Sequence, residues 1–289
     1  MQIIGLKEES GCMDCLVRLD VFRFARKCPL ICSHSSILLS LLELYDSRAR
    51  LRVAKRISNP GCYATSMQLL LAPLVPYMDI RAPPTVFGVS GYSGAGTLFT
   101  EDLDGRPVTV PKVHPADLHG GNGLRPYALT DHIHEREVSV HLSRLVDHSP
   151  TDPRFSKPTS ELDVETGPLA ETMLEHADKP LRVAFVPVVA SWYSGIISTA
   201  SVPLTKVAVE RRMHVREFKA LYEERYGREK LIKLLGKGPE VGDVEGQHGW
   251  VLGGIQLHSS GERIVAVGGL DNLLKGAATQ CLQVSGELN

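Results

Sequence analysis

The spacing of hydrophobic residues predicts a helix that begins directly after a tight turn, at about residue 63. Its apolar residues recur three and four positions apart and so share one face: Met67, Leu70, Leu71 and Leu74. The three residues before position 62 read Asn-Pro-Gly, which is turn chemistry, because proline fixes its own φ and Gly61 permits conformations closed to other residues. Cys62 therefore stands where a turn opens a helix.

Short β-branched runs predict a sheet in the remainder of the chain. The predicted strands are residues 85–90, 181–190, 195–204, 250–257 and 263–268, the last two forming a hairpin. Residues 215–226 predict an amphipathic helix with Phe218, Leu221 and Tyr222 facing inward. Helices on a sheet with these connections indicate an α/β protein of the α+β kind.

The remaining segments carry weaker patterns. Short helices are predicted at residues 37–45 and 229–235, a basic solvated stretch at 46–56, and a polar surface excursion at 149–179. No G-x-G-x-x-G follows a strand in the first sixty residues, so the usual opening of a dinucleotide-binding unit is missing there.

The composition argues against several classes of binding partner and of targeting segment. With 32 Lys+Arg against 33 Asp+Glu, the net charge of −1 argues against nucleic acid or a membrane surface as partner. No run of 18 apolar residues is present, so no membrane-spanning helix is expected. The early acidic residues of MQIIGLKEES are unlike a transit or signal peptide.

Cysteine usage indicates a reducing compartment with mostly free thiols, since six cysteines occur without a secretory signal. Four of them have a spacing compatible with zinc: Cys12, Cys15, Cys28 and Cys32, with His34 as an alternative ligand. The residues between them lack glycine-rich knuckles, which favours an unspecialised segment instead. A zinc-stabilised interaction module at the N-terminus is the competing hypothesis.

The position of Cys62 predicts an activated thiol. Free backbone N–H groups and the positive end of the helix dipole favour a thiolate, so its pKa is expected to lie below the ordinary value of about 8.5. The alternative is a small buried hydrophobic residue, as most free cysteines are.

Residues 127–142 hold the candidate proton-transfer groups. Alternation would place His132 and His134 on one face of a strand, or on either side of a turn. The adjacent Glu135 would orient His134 or raise its pKa. A metal site and plain surface histidines are the alternatives, and no spacing marks further metal ligands, so no metal is expected.

Four ordered motifs together resemble N-acetyl-γ-glutamyl-phosphate reductase, a family related to the aspartate-semialdehyde and glyceraldehyde-phosphate dehydrogenases. They are NPGCYAT at 59–65, SGYSGAG at 90–96, HIHERE at 132–137 and GLDNLLKGAA at 269–278. The resemblance runs from about residue 42 to 282, and the wording of the middle motifs is most similar to the fungal, mitochondrial form. It implies a glyceraldehyde-phosphate-dehydrogenase-like catalytic domain with a mixed sheet.

The resemblance also implies the chemistry. Cys62 would attack the acyl phosphate of N-acetyl-L-glutamyl 5-phosphate to form a thioester, which NADPH then reduces to the semialdehyde. His134 matches the acid/base region, with His132 the other candidate, and Glu137 would orient this segment. Beyond the catalytic residues, the resemblance places these against NADP(H): Ser90, Gly91, Ser93, Gly94, Ala95, Gly96 and Asn272.

Departures from the family pattern set the expected domain limits. The family places roughly a hundred and fifty residues of Rossmann domain before the cysteine, whereas 61 precede it here. We expect an atypical remnant of the NADP-binding domain at 1–57, the catalytic and dimerisation domain at 58–269, and a helix returning to the cofactor domain at 270–289. The arginine that bacterial members often carry before Gly195 is missing, which leaves Arg125 or Arg182 to bind a substrate carboxylate or phosphate.

Location and partners follow from the same resemblance. It implies the mitochondrial matrix, or otherwise the cytoplasm, a homo-oligomer, and acetylglutamate kinase as a partner in arginine biosynthesis. The alternative function is an inactive, truncated reductase that serves only as a structural or oligomerisation module.

Overall fold

A computed structural model describes residues 3–5, 38–39, 41–44, 47–53, 56–79, 81–102, 104–118, 120, 123–147 and 181–286. The four cysteines and the histidine considered for zinc, and the predicted surface excursion at 149–179, lie outside these residues. Within them, no helix is long and apolar enough to cross a membrane. The same residues contain no group of three or more side chains able to hold a metal ion.

The described elements alternate between strands and helices. The strands are β1 (Ile3–Gly5), β2 (Leu38–Leu39), β3 (Arg56–Ser58), β4 (Thr85–Gly91), β5 (Thr97–Glu101), β6 (Pro107–Pro111), β7 (Leu124–Pro126), β8 (Ala184–Ala190), β9 (Ile196–Pro203), β10 (Ile232–Leu234), β11 (Trp250–Leu257) and β12 (Arg263–Leu270). The α-helices are α1 (Ser47–Val53), α2 (Cys62–Leu71), α3 (Ile133–Asp147), α4 (Lys206–Glu210), α5 (Val215–Tyr226) and α6 (Thr279–Gly286). Short 3-10 turns span Ala72–Tyr77, Tyr92–Ala95, Pro115–Asp117 and Val241–Asp243, and a π-helical turn spans Leu274–Ala278.

A seven-stranded mixed sheet is the framework of the fold, in the order β10-β11-β12-β9-β4-β8-β7. The β4–β8 and β10–β11 pairs are parallel and the other neighbours are antiparallel. Strands β5 and β6 form a separate hairpin, and β1, β3 and β2 form a small third sheet. The hairpin and the third sheet are small, so the core is built on the seven-stranded sheet.

Helix α2 lies at the centre of the core. Residues 63 to 71 are all buried, so burial extends around the whole helix and beyond the one face that the hydrophobic spacing predicts. Its last carbonyl groups are satisfied by α5, because the hydroxyls of Tyr222 and Tyr226 donate to Leu70 O (2.6 Å) and Leu69 O (2.8 Å). Helix ends leave such carbonyls without intrahelical partners, so these two bonds close the C-terminal end of α2.

The opposite face of the sheet is more open. Along β4, Thr85 and Phe87 are exposed while Val86 and Gly88 are buried, as expected when one face packs on a core. Phe87 keeps 46% of its surface exposed.

Several sequence predictions are confirmed by the structure. Helix α5 has the predicted limits, α2 begins at the predicted turn, and β11 and β12 form the predicted hairpin. The strands predicted within 181–190 and 195–204 are present as β8 and β9.

Other predictions are wrong. Residues 38–39 form a strand where a helix was predicted over 37–45, and residues 232–234 form β10 where a helix was predicted over 229–235. The stretch at 46–56 contains helix α1, whose Leu51 is fully buried, so it is not simply solvated. The helix predicted over 270–289 begins later, since β12 continues to Leu270, a π-helical turn starts at Leu274, and α6 follows from Thr279. Short apolar runs are compatible with either element, and packing decides between them.

Candidate active site

The turn before α2 brings three parts of the chain together at Cys62. Gly61 precedes the helix, and the π-helical turn packs against it so closely that a Cβ on Gly276 would lie 2.6 Å from the Cβ of Cys62. Glycine is therefore required at 276 for the two backbones to approach. Π-helical turns of this kind often occur at functional sites.

His134 lies directly over this turn. A Cβ on Gly61 would meet the Nε2 atom of His134 at 2.1 Å, so glycine at 61 leaves the space that the imidazole fills. The other ring nitrogen, Nδ1, is buried and has no hydrogen-bond partner. Burial, together with the neighbouring His132, lowers the pKa of His134 to about 3. The expectation that Glu135 raises this pKa is wrong, because the Glu135 carboxylate accepts from Phe185 N instead (3.0 Å).

His132 has a different local role. Its Nδ1 atom accepts from the backbone N–H of His134 (3.2 Å), which satisfies one of the free donors at the start of α3. Burial lowers the pKa of His132 as well. The strand alternative for these residues is wrong, since His134 lies in the first turn of helix α3 and the two imidazoles bracket its start.

Glu137 ties α3 to the same turn. Its Oε1 atom accepts from the backbone N–H of Gly61 (3.1 Å), and burial raises the pKa of its carboxyl group to about 7. The negative charge of Glu137 also acts on Cys62, where it disfavours a second negative charge.

The expected low pKa of Cys62 is wrong. Burial raises the pKa of the thiol to about 11, and Glu137 pushes in the same direction. The backbone N–H groups at the start of α2 lower this pKa, as the helix position predicts, but by less than burial raises it. Cys62 as a residue is only partly buried, and it is a free cysteine.

Aromatic rings line the space around the two histidines. Tyr63, Tyr127 and Phe185 contact the imidazole of His132 at centroid distances of 6.5, 5.8 and 5.2 Å. The Tyr63 hydroxyl lies 3.1 Å from Gly88 O and 3.0 Å from Val188 O, and so joins the start of α2 to the adjacent strands β4 and β8. These rings exclude water from the imidazoles and explain the direction of their pKa changes.

The Gly/Ser loop and Asn272 form the second part of the site. Asn272 donates from Nδ2 to the Ser93 hydroxyl (2.9 Å) and accepts at Oδ1 from Gly195 N (2.8 Å). A Cβ on Gly94 would lie 2.6 Å from the Ser90 hydroxyl and 3.5 Å from Asn272 Nδ2. The structure thus brings Ser90, Ser93, Gly94 and Asn272 together.

The rest of this loop turns back on itself. Gly91 is buried against the backbone of Tyr193, Ala95 ends the 3-10 turn, and Gly96 has a positive φ of 81°. Lys112 extends beside Gly96, with its Nζ atom 3.6 Å from where a Cβ would stand. Gly94 stays exposed within this loop.

A buried ion pair lies in the same π-helical turn. Lys275, fully buried, donates from Nζ to Glu43 Oε1 (2.5 Å), Gln280 Oε1 (2.7 Å) and Gln283 Oε1 (2.6 Å). Burial acts to raise the pKa of the Glu43 carboxyl, but the charge and hydrogen bond of Lys275, together with hydrogen bonds from the backbone and Gln283, lower it on balance. Burial lowers the pKa of Lys275, and the charge of Glu43 opposes that change. This pair links the chain before Cys62 to the turn that packs on Cys62.

The two arginines considered for substrate binding are exposed. Arg125 lies on the edge strand β7 opposite Val189, and Arg182 lies just before β8. Among the described residues, no hydrogen bond or ion pair ties either of them to the turn at Cys62, so their roles stay predictions.

Sequence patterns did not single out several residues that build the site. Tyr63, Glu43 and the polar residues of α3 that face β8, Ser139 and Ser143, carry contacts that hold the site together. A spacing of four between residues 135, 139 and 143 was a usable signal for the last group, because it places them on one helical face. No local sequence pattern indicates a role for Glu43, since its partner Lys275 lies 232 positions away.

Comparison with known proteins agrees with the resemblance to N-acetyl-γ-glutamyl-phosphate reductases. The chain is 40% identical over 243 residues to "Protein ARG5,6, mitochondrial" of Candida albicans, a match that covers 84% of this chain and 22% of that protein. It is 38% identical over 233 residues to an N-acetyl-gamma-glutamyl-phosphate reductase of Xanthomonas euvesicatoria, covering 79% of this chain and 55% of that protein. The chain thus spans about a fifth of the fungal relative and about half of the bacterial one.

Solved structures agree on the fold. A probable aspartate-semialdehyde dehydrogenase from Pseudomonas aeruginosa superposes with a TM-score of 0.55 at 16% identity, covering 88% of this chain and 69% of that one. Aspartate semialdehyde dehydrogenase II of Vibrio cholerae gives 0.52 at 16% identity, covering 87% and 68%. The predicted mixed α/β fold is therefore confirmed.

A family model provides the assignment. The model described as "Semialdehyde dehydrogenase, dimerisation domain" matches residues 62–161 and 166–272, which is more than half of the chain and includes both Cys62 and His134. The chain belongs to the semialdehyde dehydrogenase family.

Proposed function

We propose that this chain carries the catalytic half of an NADP-dependent reductase. The reaction converts N-acetyl-L-glutamyl 5-phosphate to N-acetyl-L-glutamate 5-semialdehyde and phosphate, in arginine biosynthesis. One observation carries the proposal: the Nε2 atom of His134 lies over Gly61, the residue before a partly accessible Cys62 at the start of a helix. A cysteine at a helix start, with an imidazole over the residue before it, is an arrangement suited to acyl transfer to cysteine.

The protonation states are compatible with general-base catalysis. With a Cys62 pKa of about 11 and a His134 pKa of about 3, both groups are neutral at pH 7, as a thiol and a free imidazole. His134 can therefore take the proton as Sγ attacks the acyl carbon. The S–C bond forms, the C–O bond to phosphate breaks, and phosphate leaves with the electron pair. The backbone N–H groups at the start of α2 stabilise negative charge near Cys62.

His134 is the better candidate for the acid/base group. The Nδ1 atom of His132 is occupied by the backbone N–H of His134, whereas His134 presents Nε2 to the turn and leaves Nδ1 without a partner. We assign proton transfer to His134 and helix capping to His132. Glu137 positions Gly61 through its N–H and thereby fixes the turn below the imidazole.

The described residues fit the nicotinamide end of NADP(H). Gly94 is exposed beside Ser90 and Asn272, and a side chain at 94 would fill that space. We propose that Ser90, Gly91, Ser93, Gly94, Ala95, Gly96 and Asn272 form this surface. When bound, NADPH supplies the hydride that reduces the thioester carbonyl. Since Asn272 is already held by Ser93 and Gly195, its part is to shape the loop.

We also propose the cellular setting. Fungal relatives are named mitochondrial, which supports the mitochondrial matrix. The matched family model is a dimerisation domain, which supports assembly with further copies of the chain. The match covers 22% of the Candida protein, which leaves most of that relative for other domains, and acetylglutamate kinase is the partner that the pathway suggests.

The test combines turnover with labelling of the thiol. Phosphate-dependent reduction of NADP with N-acetylglutamate semialdehyde is measured for the wild type and for Cys62→Ser. We expect a loss of at least about 10³-fold in kcat for Cys62→Ser. Cys281→Ser, at the other described free cysteine, serves as the matched control and should retain wild-type rates.

Two results would contradict the proposal. Full activity in Cys62→Ser would remove Cys62 as the nucleophile. Absence of NADPH binding and turnover in the wild type, with Cys62 still labelled by an acyl phosphate, would instead identify a nucleophile without its hydride source.

A further inference from the structure

Helix α3 occupies the position of a strand beside one half of β8 and the residues that lead into it. The backbone N–H groups of Phe185, Val183 and Leu181 donate sideways, and each meets an acceptor on α3. The acceptors are Glu135 Oε2 at 3.0 Å, Ser139 Oγ at 3.2 Å and Ser143 Oγ at 2.8 Å. We call Glu135, Ser139 and Ser143 the side-chain ladder.

The ladder works because two periodicities nearly coincide. Residues four apart on a helix are separated by about 6 Å along its axis, and residues two apart on a strand by about 6.6 Å. Three acceptors on α3 can therefore stay in step with three alternate N–H groups on the strand side. With a fourth pair, the difference between the helix spacing and the strand spacing would add up further and the bond would be poorly aligned.

The two serines are fixed in orientation by a second bond each. The Ser139 hydroxyl donates to Glu135 O (2.8 Å) and the Ser143 hydroxyl donates to Ser139 O (2.7 Å), four residues back in each case. With the proton directed into the helix, the lone pairs of each oxygen face β8. Each serine is thus both anchored to its own helix and ready to accept.

The other half of the same edge is covered by backbone. Strand β7 pairs with the end of β8, and the Tyr127 N–H donates to Pro187 O (3.1 Å). Pro187 has no N–H, so the changeover from β7 to α3 occurs where the edge needs no acceptor. The ladder therefore continues the pairing of β8 beyond β7.

We propose that Glu135, Ser139 and Ser143 are positioning residues that fix α3 along β8 and thereby hold His134 over Gly61. The catalytic part of this inference rests on the proposed function. Glu135 directly follows His134 and lies two residues before Glu137. The hydrogen bond from Phe185 N to Glu135 therefore fixes the positions of both side chains that reach the Cys62 turn. A slip by one residue would turn α3 by about 100° and move it by about 1.5 Å. Misplacement of about 1 Å can cost roughly 10² in rate.

The test removes single acceptors and keeps their geometry in matched variants. Ser139→Ala and Glu135→Ala each delete one acceptor, while Ser139→Thr and Glu135→Gln retain an oxygen at the same place. Val140→Ala, on the exposed side of the same helix, controls for helix content. Circular dichroism checks that each variant is folded.

Two readouts are independent of turnover. Amide hydrogen exchange at Val183 and Phe185 should quicken by about tenfold in the alanine variants, as the loss of one hydrogen bond predicts. The NMR titration of the His134 imidazole should move towards the ordinary histidine range as the ring leaves its buried place. The Thr and Gln variants should restore wild-type values in both.

A third readout concerns catalysis. The alanine variants should lose kcat by about tenfold or more with KM changed less than about twofold, since the substrate site is left intact. If Ser139→Ala and Glu135→Ala leave exchange and the His134 titration unchanged, the positioning role is overturned. If those two move as expected in a protein without reductase activity, the ladder stands and the proposed function fails.

Discussion

Two buried polar clusters contact the turn at Cys62. One contains an ion pair of opposite charges, and the other contains ionisable groups without a partner of opposite charge. In the first, Lys275 donates to Glu43, Gln280 and Gln283, so the three protons of its ammonium group each have an acceptor. The opposite charge of Lys275 lowers the pKa of Glu43 in spite of burial. Burial lowers the pKa of Lys275, and the charge of Glu43 opposes that shift, so pairing favours the charged form of both partners against desolvation.

The second cluster contains Cys62, His134 and Glu137 and has no cation. Burial raises the pKa of Cys62 to about 11 and that of Glu137 to about 7, and lowers that of His134 to about 3. Each group is driven towards its neutral form, because desolvation opposes whichever form is charged.

The difference separates a structural role from a reactive one. In the first cluster all three ammonium protons of Lys275 are donated, although Glu43 Oε2 has no hydrogen-bond partner. In the second, a neutral thiol and a neutral imidazole with an unpartnered Nδ1 flank the same turn and can still exchange protons. Unpaired burial costs stability, and such costs are concentrated at functional sites.

The largest expected effect comes from breaking the paired cluster. Lys275→Met leaves the Glu43 carboxylate buried without its cation, which should lower the free energy of unfolding by about 3–5 kcal/mol. Urea denaturation measures it. The double variant Lys275→Met/Glu43→Leu should recover most of the loss.

The control for this prediction is Lys237→Met, which removes an exposed pair with Glu240 and should change stability little. Equal losses in Lys275→Met and in the double variant would mean that packing, and not charge pairing, holds the first cluster together.

Glu137→Gln should sharpen the comparison by stabilising the protein at high pH. The folded-state pKa of Glu137, about 7, lies above the ordinary value of 4.5, so the wild type loses stability as the pH rises from about 4.5 through 7. Gln keeps an acceptor for Gly61 N and is uncharged. The variant should gain up to about 3 kcal/mol over the wild type at pH 8, and almost nothing at pH 4, by denaturation at each pH. A constant difference across this range would contradict the raised pKa.

Gly61→Ala should break the second cluster sterically. The new Cβ would stand 2.1 Å from His134 Nε2, so the imidazole must move. We expect kcat to fall by roughly 10²-fold. Gly242→Ala is the matched control, because a Cβ there meets nothing within 4 Å. An unchanged kcat in Gly61→Ala would show that His134 does not act from its observed position.

The smallest effect concerns the rate at which iodoacetamide labels Cys62. With a thiol pKa of about 11, the rate should rise about tenfold per pH unit between pH 7 and 9. Glu137→Gln should raise the rate a fewfold at pH 8, because it removes a negative charge that opposes the thiolate. Peptide mass spectrometry follows the Cys62 peptide alone. A rate that levels off below pH 8 would indicate a preformed thiolate.

The sequence predicts best those features whose signals are contiguous. The Asn-Pro-Gly turn and the apolar spacing after it locate the start of α2, and the limits of α5 follow from its amphipathic pattern. The position of Cys62 at a helix start was predictable from the residues, and the resemblance of ordered motifs assigned His134 to the same site.

The rest depends on contacts between distant segments. The sign of the Cys62 pKa change comes from burial by other elements and from Glu137, and neither is visible in the residues around position 62. Residues 232–234 become a strand because they pair with β11, a tertiary choice that a short apolar run cannot encode. Domain limits and cofactor contacts stay predictions for the same reason.

The side-chain ladder also affects how copies of the chain can meet. An open sheet edge invites another strand, which is a common route to uncontrolled association. Along β8 that edge is occupied by β7, by the ladder, and by Pro187 between them. Within the described residues, β8 therefore offers a second copy no row of free N–H groups, and new strand pairing at this end of the sheet would have to use the outer side of the exposed edge strand β7.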